Sequence, residues 1–219
     1  MTAKIVVTGF EPWAHGTENP TLAVLDQLEA SNDLPGTLAT VRVPVDSRRL
    51  AEIVEATLDR ERPDIWISLG LAPGAAVVAI ERIAANVMDF PVADNVGVQH
   101  GGEPVFAGGP DGRIATLPVK AIAAGLRAAG IPAKLSNSPS TYLCNQMMYT
   151  ALHLIERKGM TTRAGFIHVP AHPALAAIQV YPSVEMPSMS IEMMTQAVKH
   201  AIATTLDTPQ DSRAPAFNY

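Results

Sequence analysis

The chain has 219 residues, of which 47% are hydrophobic and 17% are charged, and its formal net charge is −5. The apolar fraction excludes a disordered chain, and the negative charge argues against a nucleic-acid partner. The length is ample for a hydrophobic core. We therefore expect residues 1–219 to form a single α/β domain, with residues 207–219 as a flexible tail.

The sequence contains one cysteine, Cys144, so an internal disulfide and a cysteine-rich metal cluster are both excluded. The first residues lack the long apolar core of a secretory signal, and no segment approaches the roughly 20 apolar residues that a membrane span needs. These features predict a cytoplasmic protein without membrane contact.

Short apolar runs alternate with helical patterns along the chain. The predicted strands are residues 4–7, 40–45, 64–69, 77–87, 133–135 and 165–169, and the predicted helices are residues 21–30, 47–60, 118–129, 144–158 and 190–206. Alternation of this kind predicts a mostly parallel sheet with helices on both faces. Residues 89–112 interrupt it and predict loops or a hairpin, and residues 182–187 predict a turn.

Functional residues are expected in the loops that follow strands, because ligands bind at the carboxyl ends of strands in an open α/β sheet. These loops are residues 9–16, 70–74, 136–143 and 168–173. The first two contain glycines that allow a ligand to approach the backbone closely, but neither matches a phosphate-binding motif. Phe10 and Trp13 could line an apolar pocket, although packing in the core is an equal alternative.

Cys144 lies at the start of the helix predicted at residues 144–158. A thiol at a helix N-terminus lies near the positive end of the helix dipole, which favours the thiolate, and free amides there could stabilise an oxyanion. A buried, inert cysteine is the alternative, and it is the commoner fate of a single cysteine.

His168 falls at the end of the strand predicted at residues 165–169, at the functional edge of the sheet. Imidazole is a suitable base for a thiol nucleophile, whereas a structural, hydrogen-bonded histidine is the alternative. His172 is close enough in the sequence to be a rival. His153 and His200 fall inside helical patterns, which predicts surface or packing roles for them.

Glu81 is the one acidic residue in the apolar run VVAIERIAANV. Burial of a carboxylate is unfavourable unless it is paired, and a histidine partner would satisfy it while the carboxylate orients the ring. An ion pair with a basic residue is the alternative, although adjacent Arg82 would point to the opposite face of the strand. Asp94 is a second acidic candidate, but its turn-rich loop favours turn chemistry.

Several segments together resemble the pyrrolidone carboxyl peptidase family, also called pyroglutamyl peptidase I, and they occur in the family's order. They span about residues 4–206 and read VTGFEPW, ENPT, LGLAPG, IERIAAN, DN, SNSPSTYLCN and GFIHVP. The resemblance is specific because these segments contain the glutamate, the cysteine and the histidine singled out above.

The family consists of cysteine peptidases that remove an N-terminal pyroglutamyl residue from peptides. The resemblance implies a three-layer α/β/α sandwich around a mostly parallel, open twisted sheet. It implies that Cys144 is the nucleophile, His168 the base and then the acid, and Glu81 the carboxylate that orients the histidine. It also implies peptides with N-terminal pyroglutamate as substrates, no metal or organic cofactor, and a cytoplasmic homo-oligomer, often a tetramer.

The pyroglutamyl lactam is small, flat and uncharged, so its recognition calls for an apolar slot with a few amide partners. The resemblance places Phe10 and Trp13 around this slot, and Leu71 and Leu143 are further candidates for substrate binding. Trp13 stands where phenylalanine is usual, Leu71 where many members have glutamine, and Pro91 where many have arginine. These departures bear on substrate range and rate more than on the type of reaction.

Two other interpretations stay open at this point. One is a non-catalytic protein of the same fold that binds lactams or amides, which Trp13 and Pro91 favour. The other is an amidase that uses the same three residues on a different acyl group. Turnover of pyroglutamyl, prolyl and glutaminyl amides would distinguish the three.

Overall fold

The computed structural model describes residues 2–13, 16–178 and 185–212. Its strands are β1 (Ala3–Phe10), β2 (Gly36–Val43), β3 (Ile65–Leu71), β4 (Val78–Glu81), β5 (Ile83–Ala85), β6 (Met88–Asp89), β7 (Gly101–Glu103), β8 (Gly112–Ile114), β9 (Ala133–Ser136) and β10 (Arg163–Val169). Six of them form the central sheet in the order β2-β1-β3-β10-β4-β9. The neighbours β2, β1, β3 and β10 are parallel, whereas β4 is antiparallel to β10 and parallel to β9.

Helices cover both faces of this sheet. They are α1 (Pro20–Glu29), α2 (Leu50–Glu61), α3 (Val119–Ala128), α4 (Leu143–Arg157), α5 (Pro173–Ala177) and α6 (Ile191–Asp207). Helix α6 packs against α1 and α3 in one layer, and α2 packs against α4 in the other. The predicted three-layer α/β/α sandwich around a mostly parallel sheet is therefore confirmed.

The two helical layers explain why the central strands read as continuous apolar runs. Ile5, Val6 and Val7 are consecutive in β1, so their side chains alternate between the two faces, yet each exposes 1% of its surface or less. Trp66 and Ile67 in β3 are buried in the same way. A strand covered on one face only would expose every second side chain.

The apolar stretch at residues 77–87 divides into two strands that belong to different sheets. Strand β4 lies in the central sheet, and β5 turns away to pair with β8. Arg82 lies at the break, where its amide donates to the Ser136 carbonyl and its carbonyl accepts from the Ala115 amide. Glu81 is therefore the last residue of a central strand. Residues 89–112 are mostly loop, and they contain β7 and the end of β6, which pair as a short antiparallel ribbon, in line with the predicted loops or hairpin.

The helices begin and end within three residues of their predicted bounds. The helix predicted from residue 47 begins at Leu50, because Asp46 accepts hydrogen bonds from the Arg48 backbone and side chain and holds a turn there. Helix α1 begins as expected, with the Asn19 side chain accepting from the Thr21 amide. The five-residue helix α5 is not indicated by any sequence pattern.

Part of the predicted tail makes contacts with the domain. Helix α6 ends at Asp207, and the Asp211 carboxylate accepts hydrogen bonds from the Lys120 and Ala121 amides at the start of α3. Residues 213–219 lie outside the described residues, as do residues 179–184, which include much of the turn predicted at residues 182–187. No helix in the described part of the chain combines the length and apolar character of a membrane span.

Candidate active site

Cys144 is the second residue of α4, at the carboxyl edge of the parallel strands. Tyr142 is the N-cap residue, and within the described chain its side chain makes no capping hydrogen bond. The first amides of the helix therefore stay available to an anion, and the helix dipole adds positive potential at the same point. Ser140 in the preceding loop has a φ of 69°, a left-handed conformation that is uncommon for serine.

Gly70 provides the space in which the thiol lies. A Cβ atom at this position of β3 would lie 2.9 Å from Cys144 Sγ and 2.8 Å from Cζ of Phe166. Both separations are shorter than real Cβ contacts, so a larger residue would displace the sulfur or the ring. Gly70 is also the register partner of His168 in the neighbouring strand β10. The sulfur, the glycine and the imidazole therefore lie beside one another.

His168 and Glu81 meet across the antiparallel pair β10–β4. The register places Phe166 opposite Glu81, and His168 lies two residues further on the same face of the sheet. His168 Nδ1 lies 2.9 Å from Glu81 Oε1, which leaves the other ring nitrogen for the thiol side. Glu81 is 2% exposed and His168 8% exposed, so water screens this pair weakly.

The surroundings of His168 raise its pKa from the ordinary 6.5 to about 9. Burial is the largest single influence and acts to lower the pKa, because it disfavours the charged ring. The charge of Cys144 and a hydrogen bond to it, together with the hydrogen bond and charge of Glu81, outweigh burial. The geometry thus favours a protonated His168 ring, held between Glu81 and the Cys144 sulfur.

The rival candidates have other partners. His172 Nε2 lies 2.9 Å from Glu18 Oε2, so this histidine is paired away from Glu81. The Asp94 carboxylate accepts hydrogen bonds from the Ser47 amide and hydroxyl and from two amides of its own loop. Asp94 therefore holds loops together, as its turn-rich sequence indicated.

A cleft of about 430 Å³ opens above Cys144 and His168. All four residues predicted to bind substrate, Phe10, Trp13, Leu71 and Leu143, line it, together with Glu81, Cys144 and His168. The structure therefore brings every predicted site residue to one cleft.

The two ends of the cleft differ in chemistry. What we call the apolar half lies above β2 and β1 and is lined by Phe10, Trp13, Val45, Tyr142 and Leu143. What we call the polar half lies above β9 and is lined by Lys134, Ser136 and Ser138. Because β10 lies between β1 and β9 in the sheet, His168 separates the two halves.

Tyr142 shapes the apolar half together with Trp13. The Trp13 indole N–H donates to the Tyr142 hydroxyl at 2.7 Å, and that hydroxyl donates to the Ala93 carbonyl at 3.2 Å. The Phe90 ring meets Tyr142 edge-on, with 4.6 Å between ring centroids. Trp13 is thus held by a hydrogen bond that phenylalanine could not make.

Sequence reasoning did not single out Gly70, Tyr142 or Lys134 for the roles that the structure gives them. Gly70 and Tyr142 lay in segments already singled out as LGLAPG and SNSPSTYLCN, so a signal was present. Lys134 had none, because its place in the cleft depends on the pairing of β9 with β4. Among the described residues, no three His, Cys, Asp or Glu side chains lie close enough together to hold a metal ion.

Comparison with known proteins identifies the family of this chain. The sequence profile of the pyroglutamyl peptidase family matches residues 3–208. A pyrrolidone-carboxylate peptidase from Thermococcus kodakarensis is 42% identical over 200 residues, which is 91% of this chain and 94% of that protein. Another, from Ralstonia nicotianae, is 37% identical over 95% of each chain.

Solved structures of the same family have the same fold as this chain. The pyrrolidone carboxyl peptidase of Thermococcus litoralis superposes with a TM-score of 0.90 at 34% identity, covering 97% of this chain and 99% of the other. Pyroglutamyl peptidase I of Bacillus amyloliquefaciens gives 0.89 at 30% identity, covering 96% and 100%. Since sequence and fold both match over nearly the full length, this chain belongs to the pyroglutamyl peptidase family.

Proposed function

We propose that this protein is a cysteine peptidase that hydrolyses the amide bond after an N-terminal pyroglutamyl residue of peptides. The observation that carries the proposal is the convergence of Cys144, His168 and Glu81 in the middle of the cleft of a chain that belongs to this family. In this proposal Cys144 is the nucleophile, His168 the proton carrier and Glu81 the orienting carboxylate.

The first half of the reaction transfers the acyl group to sulfur. The Cys144 thiolate attacks the carbonyl carbon of the pyroglutamyl residue and forms a carbon–sulfur bond. The first amides of α4 are in position to stabilise the oxyanion that results. The imidazolium of His168 gives its proton to the leaving nitrogen as the carbon–nitrogen bond breaks. The products are a thioester and a free amine.

The second half restores the enzyme. Neutral His168 takes a proton from water as the water oxygen bonds to the acyl carbon and the carbon–sulfur bond breaks. Pyroglutamate leaves, and the thiolate and imidazolium are regenerated. Glu81 keeps Nδ1 of the ring occupied at 2.9 Å, so that the same ring nitrogen, Nε2, serves both steps.

The apolar half suits the pyroglutamyl lactam, which is uncharged and flat. The rings of Phe10 and Trp13 offer apolar faces, and Leu71 and Leu143 add aliphatic contact. This supports substrate binding by these four residues. A prolyl residue would bring a charged secondary amine into the same slot, where burial of a charge is unfavourable.

The test is release of pyroglutamate from pyroglutamyl-7-amido-4-methylcoumarin. We expect turnover by the wild type, and a loss of at least about 10⁴-fold in Cys144→Ala, because removing the nucleophile leaves only binding effects. Prolyl and glutaminyl analogues should be turned over far more slowly. Undiminished activity of Cys144→Ala would overturn the nucleophile assignment, and equal turnover of the three acyl groups would favour a general amidase.

We further propose that residues 1–219 form one peptidase domain that works in the cytoplasm as a homo-oligomer, with the tetramer of the family resemblance as the expected state. Cys144 must stay a free thiol to act as the nucleophile, which supports a reducing compartment. Light scattering on the purified protein would measure the mass, and a monomer at micromolar concentration would contradict the oligomer.

A further inference from the structure

The polar half of the cleft contains a lysine that the proposed reaction does not use. Lys134 lies in β9, is exposed, and lines the cleft. Lys134 lies in the same row of residues as the reaction centre across the strands β10, β4 and β9. His168 is the register partner of Ala79, and Ala79 is the register partner of Lys134. Register partners point to the same face of a sheet, so His168 and Lys134 share one face.

Ala79 lies between the histidine and the lysine and lines the same cleft. Two strand spacings separate the His168 and Lys134 backbones, which is about 10 Å. The residue between them contributes a single methyl group, whereas most side chains would fill the gap. An extended peptide advances about 3.3 Å per residue, and a hydrogen bond at His168 and an ion pair at Lys134 each take up about 3 Å. Together these lengths fill the gap, so it accommodates one residue of a leaving group.

The position of Lys134 puts it on the leaving-group side. The apolar half suits the uncharged lactam, and His168, which protonates the leaving nitrogen, lies between the two halves. A substrate with its lactam above β1 therefore extends its remaining part towards β4 and β9. Ser136 and Ser138 give this end a hydrophilic wall, and the Ser136 hydroxyl is held by the Ser138 backbone.

Lys134 is also the charge in the cleft lining that lacks a partner. The cleft has two acidic residues in its lining, of which Glu81 is paired with His168 and Glu18 with His172. Across residues 2–13, 16–178 and 185–212, the Lys134 ammonium makes no ion pair with a carboxylate and no side-chain hydrogen bond. A carboxylate on the substrate could form an ion pair with this ammonium.

We propose that Lys134 determines specificity for the leaving group by binding a carboxylate on the residue that follows pyroglutamate. The inference rests on the proposed function, and it adds a preference among pyroglutamyl peptides. The carboxylate has two sources: the C-terminal carboxylate of a pyroglutamyl dipeptide, or an aspartate or glutamate side chain in a longer peptide. Both present the same group to the ammonium.

The experiment measures kcat/KM on two matched pairs of substrates. The first pair, pyroglutamyl-alanine and pyroglutamyl-alanine amide, differs in the terminal carboxylate. The second, pyroglutamyl-glutamate amide and pyroglutamyl-glutamine amide, differs in the side-chain carboxylate. We expect the acid to be preferred about two- to fivefold in at least one pair, the range typical of an exposed ion pair. High salt should reduce the preference because it screens exposed charges.

Variants assign the preference to this residue. Lys134→Gln should bring the acid-to-amide ratio to about one, and Lys134→Glu should reverse it in favour of the amide. Lys4→Gln is the matched control, because it removes an exposed lysine at the end of β1 that lies away from the cleft. It should keep the wild-type ratio. The ratio within each variant is the readout, so a change in overall activity does not affect the conclusion.

The outcomes separate this proposal from the function on which it rests. The role of Lys134 is overturned if the wild type gives ratios near one in both pairs, or if both Lys134 variants keep the wild-type ratios. In either case, turnover of the coumarin substrate would still support the peptidase activity. Failure of the wild type to release pyroglutamate from any substrate overturns both. The pair that shows the preference identifies which carboxylate Lys134 binds.

Discussion

The apolar and polar halves of the cleft are built by different means. The apolar half is assembled from loops after β1 and β2 and from the start of α4, and its Trp13–Tyr142 hydrogen bond is partly buried. The polar half lies on the edge strand β9 and the loop that follows it, and within the described residues the ammonium of Lys134 makes no ion pair. A pre-arranged slot suits a group that every substrate shares, whereas an exposed charge on a long side chain suits a part that varies.

The reaction centre of Cys144, His168 and Glu81 lies between the two halves. Of the variants discussed below, Glu81→Gln at this centre has the largest expected effect on activity. We expect kcat to fall by about 10²- to 10⁴-fold, because the amide cannot stabilise the imidazolium as a carboxylate does. The measurement is turnover of the coumarin substrate, with circular dichroism to establish that the variant is folded.

The pH dependence of the same variant gives a second reading. In the wild type the pKa of His168 is raised to about 9, so the imidazolium and the activity that needs it persist up to that pH and decline above it. Loss of the Glu81 charge removes one cause of the raised pKa, so the alkaline limb of the activity profile should move to lower pH. An alkaline limb that stays in place would mean that Glu81 has only a structural role.

Gly70→Ala tests the space at the centre. The added methyl group would lie within 2.9 Å of both Cys144 Sγ and the Phe166 ring, and overpacking of this kind is unfavourable by about 1–3 kcal/mol. We expect kcat to fall by about 10- to 100-fold, since that energy displaces the sulfur from His168. Gly101→Ala, where a Cβ meets nothing within 4 Å, is the control and should retain wild-type activity.

Trp13→Phe has a smaller expected effect and separates the halves directly. It removes the hydrogen bond to Tyr142, a loss of about 1 kcal/mol, so kcat/KM should fall about fivefold. The fall should be equal for the acid and amide substrates of each pair, because the lactam is common to all. An altered acid-to-amide ratio in this variant would show that the two halves are not independent.

Binding to the apolar half can be observed without turnover. The sequence has two tryptophans, and Trp66 is buried in β3, away from the cleft. A Trp66→Phe variant would leave Trp13 as the sole source of tryptophan fluorescence. Titration with 2-pyrrolidone should then change the emission, and an emission unaffected at saturating lactam would argue against the apolar half as the lactam slot.

Much of the fold and the reaction centre could be predicted from the sequence, because both are marked by polar residues that interrupt or end apolar segments. Glu81 interrupts an apolar run, His168 ends another, and Cys144 begins a helix. The reversed direction of β4 and β9 could not be predicted in this way, since it depends on pairing between residues far apart in the chain. Lys134 was missed for the same reason, as its pattern is that of any exposed lysine in a strand.

The central claim is that His168 keeps the Cys144 sulfur reactive, and alkylation tests it most directly. Cys144 is the one cysteine in the sequence, so uptake of iodoacetamide reports on this sulfur without ambiguity. At pH 6.5 we expect the wild type to react more than about tenfold faster than a folded His168→Asn variant, because the imidazolium stabilises the thiolate. Equal rates in the two proteins, both matching a free thiol, would contradict the account.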